Sequence, residues 1–300
     1  MDSDDKQPLL SAPPSGPPRW QLGLLLLCIA GQNASYTLVR GFSRGALHQQ
    51  YCLLTAQLAS ELLKLLFCLL AVDDVRSACK GSLWKTAVVS VTYLTQNLLS
   101  LFALGLIQPS VFSLVSQLKL LSTATCGLAV GKTQSARRWM SLCVVTTGVM
   151  LAAGTTVSSS AQPIAYIGVG AALVEVLLAG AASVAFELVL KQEAEVGVLA
   201  RNVQLSSMTV AIAAPALFWE DAPFDGWTTL ASVSVVLGAV GGLLVALSLR
   251  YCDAVSKALA TCLSLVITTI VTFAINLRAD LISVVGCVLV CIGIVQYALD

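Results

Sequence analysis

Charge is scarce in this 300-residue chain: Asp, Glu, Lys and Arg make up only 11% of it, where a soluble domain carries roughly 25%. With 57% hydrophobic residues and a mean hydropathy of +0.86, the chain cannot hide its apolar surface from water and belongs in a bilayer. The net charge is +1, so no basic excess points to nucleic acid. Histidine is nearly missing, and His48 stands alone as a loop residue. No Cys-x-x-Cys pair occurs, and neither a metal nor another cofactor is expected. The ten cysteines are no disulfide framework. Cys28, Cys68, Cys126, Cys143, Cys262, Cys287 and Cys291 lie in apolar segments, where a thiol acts as a small hydrophobe. The chain also lacks His-Glu-x-x-His, paired aspartates in apolar segments and any Ser/His arrangement. An intramembrane enzyme is the least supported class.

What is present is a series of apolar segments. Residues 1–19 form a polar, Pro-rich tail, expected to be disordered and cytosolic. Acidic residues and prolines replace the basic start of a signal peptide. Asp5 to Leu10 (DKQPLL) matches the spacing of an acidic dileucine sorting signal, a short pattern that is common by chance and would add endosomal or vacuolar routing. From Trp20 onward the expected spans are 20–39, 51–72, 84–106, 110–131, 138–157, 164–190, 202–219, 227–249, 254–277 and 280–298. Each is long enough to cross ~30 Å of hydrocarbon as a helix. The breaks carry turn and charge signals, such as Asp73-Asp74, Gln108-Pro109, Gln162-Pro163 and Glu220 to Pro223.

Basic residues set the expected orientation. With the N-terminus in the cytosol, twelve Lys and Arg fall on the cytosolic side and three (Arg40, Arg44, Arg278) on the other, with Lys64 and Lys119 inside spans. The expected fold class is therefore an all-α polytopic membrane protein of ten transmembrane helices with both termini cytosolic. Residues 20–157 and 164–300 would form two five-helix repeats joined by a lumenal connection at 158–163. Five is odd, so similar halves would lie inverted, with a substrate site near the midplane between them. An unrelated ten-helix arrangement stays open.

Polar residues fall on single helical faces. Tyr93, Gln96, Asn97 and Ser100 share one face of the third span, and Phe112, Ser116, Lys119 and Thr123 one face of the fourth. Lys257, Thr261, Ser264 and Thr268 repeat the latter spacing in the ninth, and Arg201 and Asn202 open the seventh, followed by Ser206 and Thr209. Ser and Thr alone would signify interhelical hydrogen bonding, whereas Gln96-Asn97 beside two buried lysines points to a polar cavity. Lys119 lies near the bilayer centre and needs a carboxylate, water or an anionic ligand. Lys257 is close enough to a helix end to snorkel. Two lysines from equivalent helices suit a diphosphate, because Lys is a compact charge that tolerates varied phosphate geometry. Glu61 and Lys64 are three apart and can pair locally. Glu175 lies mid-span, where it could bond a neighbouring helix or relay a proton. Gly241-Gly242 in the eighth span could pack a helix closely or let it bend.

Several of these residues carry a family resemblance. Glu61-Leu-Leu-Lys64, Gln96-Asn97, Gln117-Leu-Lys119, Phe186-Glu187 with Leu190-Lys191, Arg201-Asn202-Val-Gln204, and Gly241 to Ala246 followed by Tyr251, Asp253 and Lys257 occur in the order found in nucleotide-sugar transporters. From about Gln57 to Ala298 the chain resembles that family, within the drug/metabolite transporter superfamily. The resemblance implies ten helices in inverted halves, and exchange of a cytosolic nucleotide sugar for a lumenal nucleoside monophosphate in the Golgi or endoplasmic reticulum. It implicates Lys64, Tyr93, Gln96, Asn97, Lys119, Asn202 and Lys257 around the nucleotide. Phe112, Ser116, Thr261 and Ser264 complete the candidate substrate-binding set. Ala260 to Ser264 looks closer to the UDP-sugar members, which favours UDP-galactose or UDP-N-acetylglucosamine. A homodimer and contact with glycosyltransferases are compatible partners beside the lipid bilayer. The chain departs from the family pattern at Leu98, Ser113, Ser116, Arg250 and Ala254, and Glu175 stands where a small residue is usual. Two alternatives remain open: a superfamily carrier of another organic anion or an amine, and a non-transporting membrane scaffold.

Overall fold

The computed structural model describes residues 17–43, 47–72, 76, 80–107, 109–153, 165–193, 195–220, 222–276 and 280–300. The dileucine pattern, the 158–163 connection, Asp73-Asp74 and Arg278 lie outside them. Among the described residues there are eleven α-helices and no strands. They are α1 (Arg19–Gly41), α2 (Leu53–Ala71), α3 (Leu83–Leu106), α4 (Pro109–Ser116), α5 (Lys119–Ala129), α6 (Ala136–Ala153), α7 (Ala165–Gln192), α8 (Val198–Ala213), α9 (Thr229–Tyr251), α10 (Ala254–Asn276) and α11 (Leu281–Leu299). A 3-10 turn, Ala214–Trp219, extends α8. Eight described segments are long and apolar enough to cross a membrane: α1, α2, α3, 111–129, α7, α9, α10 and α11. The expected fifth and seventh spans fall short of that measure, because α6 opens with Arg137-Arg138 and the 16-residue α8 carries Arg201, Asn202 and Gln204. The expected fourth span is one stretch in the sequence and two helices in the structure.

Helix starts follow local chemistry. The Thr228 hydroxyl accepts from the Ala231 N–H and starts α9, and the Asp280 carboxylate does the same for α11 at Ser283. Each satisfies one of the free donors at a helix N-terminus. The bundle is apolar outside, and inside it apolar clusters surround a set of buried polar side chains. Leu62, Leu66, Phe67 and Leu70 of α2 and Val285, Val288, Ile292 and Val295 of α11 are exposed. Glu175, Glu187, Arg201 and Asn202 are at most 1% exposed. Lipid supplies no hydrophobic force between helices, so close backbone approach holds the bundle. The most extensive helix pair, α6 with α11, depends on it: a Cβ on Gly148 would meet the Gly286 carbonyl at 2.8 Å.

Helix contacts repeat between the first five segments (α1, α2, α3, α4–α5, α6) and the second five (α7 to α11). α1 packs on α9 as α7 packs on α3; α1 on α10 as α7 on α5; α2 on α9 as α8 on α3. α2–α8, α5–α10 and α6–α11 join equivalent helices directly.

Loops from the two halves meet at both ends of the bundle. The starts of α1 and α11's end share one face, since Gly23 and Ala298 line the same cleft. On this terminal face the segment before α3 meets the α7–α8 connection. The Glu193 carboxylate accepts from the Ser82 N–H (2.8 Å), from Lys85 (3.0 Å) and from Arg201. Arg201 also donates to Thr86 (3.2 Å) and Gln204 (2.8 Å), and Gln204 donates to the Lys80 carbonyl. Gly81, at φ +75°, presses on Glu193 and Arg201. On the opposite face the α1–α2 loop meets the segment before α9. Gly226, at φ +65°, presses on the Gln50 carbonyl, Thr228 donates to Gln49 (2.8 Å), and the Tyr51 and Trp227 rings meet edge-on with centroids 6.5 Å apart.

Candidate functional site

The site is built on the interruption between α4 and α5. Helix stops at Ser116 and restarts at Lys119. Between them the chain tightens: the Gln117 and Leu118 N–H groups bond carbonyls three residues back, at Leu114 (3.2 Å) and Val115 (3.0 Å). Gln117 Nε2 donates to the Ser113 carbonyl (3.0 Å). Such discontinuous helices aim their ends at substrates in membrane carriers. The helix that restarts here is α5, whose N-terminus is the positive end of its dipole, and its first residue is Lys119.

Lys119 has a carboxylate partner. Its Nζ lies 2.8 Å from Glu175 Oε1 of α7, with the lysine side chain 39% exposed and the glutamate 2%. Glu175 Oε2 is buried without a hydrogen-bond partner, as is Ser116 Oγ. The departure from the family pattern at Glu175 thus supplies the counter-charge of the mid-membrane lysine.

Lys257, at the start of α10, turns inward rather than snorkelling. Its Nζ donates to Ser183 Oγ of α7 (3.2 Å). Lys119 is near enough for the two like charges to act on each other. Tyr93 Oη lies beside Ser183 without reaching strict hydrogen-bond geometry, and its ring meets Phe186 edge-on at 6.3 Å. Gln96 Oε1 is buried and unpartnered. Helix α7 therefore holds both lysines, through Glu175 and Ser183. These lie eight residues, or ~12 Å of helix, apart.

The other candidate residues are placed differently. Lys64 is 4% exposed and pairs with Glu61 at 2.7 Å. Its side chain lies against Gly242 of α9, and Gln32 of α1 lies against Gly241. α9 runs unbroken through this glycine pair, so the pair makes room for two long polar side chains rather than bending the helix. Asn202 donates to the Val198 carbonyl of its own helix (3.0 Å), while its Oδ1 is buried and unpartnered. Asn97 is exposed. Phe112 packs against Ala103, Ile107 and Ala172. The Thr261 and Ser264 hydroxyls bond backbone carbonyls of their own helix, at Lys257 and Thr261, and Thr261 Oγ1 accepts from Asn33 of α1 (3.4 Å).

Two ionic clusters close the terminal face beyond the lysines. Glu187, fully buried, pairs with Lys132 and Lys191 and accepts from the Ala254 N–H (2.9 Å) at the start of α10. Glu193 lies outside the membrane-spanning segments. Burial pushes its carboxyl up, but hydrogen bonds from Ser82, Lys85 and Arg201 outweigh this and hold it at about 2. Sequence reasoning missed Glu193, Ser183 as a lysine partner, and Asn33. Glu193 follows Lys-Gln at a helix end with no motif around it.

Comparison with known proteins places the chain. A family model described as nucleotide-sugar transporter matches residues 21–298. A UDP-galactose transporter of Schizosaccharomyces pombe is 29% identical, over 92% of this chain and 86% of its own. A human UDP-N-acetylglucosamine transporter is 29% identical, over 84% and 85%, and a bovine UDP-galactose translocator 28%, over 91% and 77%. One solved crystal structure shares the fold, with a TM-score of 0.75 at 16% identity, covering 93% of this chain and 98% of that one.

Proposed function

The chain belongs to the nucleotide-sugar transporter family, a membrane transporter rather than an enzyme, and from that membership we propose that it exchanges a UDP-sugar for a nucleoside monophosphate by alternating access. The observation that carries this reading is the pair of inward-turned lysines, Lys119 and Lys257, held by α7, together with the buried polar atoms Gln96 Oε1 on α3 and Ser116 Oγ, one turn before Lys119, that have no hydrogen-bond partner. Unpartnered buried polar groups are costly in a native bundle, and a nucleotide would satisfy them. The lysines would neutralise phosphate while Gln96 and Tyr93 bond base or ribose. UDP-galactose or UDP-N-acetylglucosamine is the favoured cargo, in keeping with the names of the relatives. A UDP-sugar carries two phosphate charges and a monophosphate nearly two at neutral pH, so exchange is close to electroneutral.

The exchange runs between ten transmembrane segments in two inverted repeats, 20–157 and 164–300, with cytosolic termini in a Golgi or endoplasmic reticulum membrane. The repeated helix contacts, and the two clasps each built on a positive-φ glycine, support that arrangement. A second reading, a carrier of another organic anion or an amine, is favoured by the carboxylate of Glu175 inside the site. Labelled nucleotide sugars offered to liposomes preloaded with UMP, CMP or GMP separate the two. Selective exchange of one UDP-sugar against UMP is expected. Absence of exchange driven by any monophosphate would overturn the proposal.

A further inference from the structure

We propose that Glu175 is a built-in stand-in for the cargo's phosphate: its carboxylate occupies Lys119 in the empty carrier and is displaced when the anionic cargo binds. This deepens the nucleotide-sugar reading and rests on it for the identity of the displacing anion. Carboxylate and phosphate compete for an ammonium through the same charge-assisted hydrogen bonds. Glu175 is held by one oxygen only, at 2.8 Å, while Oε2 has no partner, so the pair is exchangeable rather than locked.

Geometry favours the displacement. Lys119 is bound to Glu175 and Lys257 to Ser183, two turns apart on α7. A diphosphate gripped by both ammonium groups would compete with the Glu175 carboxylate for Lys119. The flexible lysine stem permits a swing from one to the other. The elements packed around Glu175 offer it no second described cation within bonding distance. α5 brings Lys119, α10 brings Lys257, held by Ser183, and α3 brings Tyr93 near the same serine. Glu187, farther along α7, has its own lysines, Lys132 and Lys191. A surrogate anion cancels one of the two lysine charges of the empty site, which lowers the cost of holding a lysine at the bilayer centre, and it takes the cargo's place as the cargo leaves.

The test compares the purified wild-type chain with Glu175→Gln and Lys119→Arg, using sulfate and UDP-galactose as probes. Sulfate carries two charges across the neutral range and no nucleotide. Glu175→Gln removes the competitor, so both probes bind tighter, by roughly tenfold. In exchange assays its KM and kcat both fall, because release slows. Lys119→Arg engages both carboxylate oxygens through its fork, so both probes bind more weakly than to wild type, although arginine is itself a good oxyanion ligand. Sulfate binding that is unchanged or weaker in Glu175→Gln, or no weaker in Lys119→Arg, overturns the proposal. Should Glu175→Gln not fold, the Lys119→Arg comparison decides alone. If sulfate follows the expected order while UDP-galactose binds none of the three, the surrogate role stands and the nucleotide-sugar reading falls.

Discussion

The two loop clasps occupy equivalent places at opposite ends of the bundle and differ in chemistry. Each sets a positive-φ glycine, Gly81 or Gly226, against a loop of the other half. The terminal-face clasp is then closed by ions, with Arg201 fully buried among Glu193, Gln204 and Thr86. The opposite clasp is closed by neutral groups: Gln49 with Thr228, and Trp227 with Tyr51 on one side and Phe224 on the other. Shared geometry with unshared chemistry is what the proposed two repeats would show if the backbone frame is kept and each end is tuned to its own task. Breaking the ionic clasp removes charge-assisted hydrogen bonds around a buried guanidinium, whereas breaking the aromatic one loses mainly contact area.

That difference orders the expected effects. Arg201→Ala is the most damaging, since it removes a fully buried guanidinium together with its bonds to Glu193, Gln204 and Thr86; a loss of about 3 kcal/mol is expected, read as a fall in melting temperature of the purified protein. Next come Gly81→Ala and Gly226→Ala. Both force a side chain into positive φ and against a neighbouring loop, at roughly 2 kcal/mol each. Similar losses at the two sites would support the equivalence, and a loss at only one would break it. Smaller still is the Tyr51/Trp227 pair, for which a double-mutant cycle is expected to give a coupling of about 1 kcal/mol.

The smallest effect is that of pH. Glu193 is held below its ordinary value, so its contribution to stability is complete above the unfolded-state value of 4.5 and is lost as pH falls toward about 2. Acidification from pH 7 to 5 should leave the ionic clasp intact. A melting temperature that drops in that interval in wild type but not in Glu193→Gln would contradict the assignment.

Much of the frame was legible before any coordinates. Length and hydropathy marked the segments, and the two lysines stood out because charge inside an apolar run is costly. The reading failed where a feature depends on another segment. Nothing at Gln117-Leu118 resembles a helix breaker, because no proline or glycine is there. Glu175 looked partnerless because Lys119 is 56 residues away in the chain, and salt bridges between distant helices leave no periodic signal. Gly241-Gly242 was visible as a close-packing signal, but the side chains that fill it, Gln32 and Lys64, come from α1 and α2. The expected spans 138–157 and 202–219 were read as apolar segments of sufficient length, whereas α6 and the 16-residue α8 are not among the helices long and apolar enough to cross a membrane.

The central claim is that Lys119 grips the phosphate of a nucleotide cargo. Uptake of labelled UDP-galactose into UMP-loaded proteoliposomes, compared between wild type and Lys119→Ala, tests it most directly. The account predicts UMP-driven uptake by wild type and its loss in the variant, by at least about tenfold if one charge-assisted contact to phosphate is removed. Wild-type exchange by Lys119→Ala would contradict it.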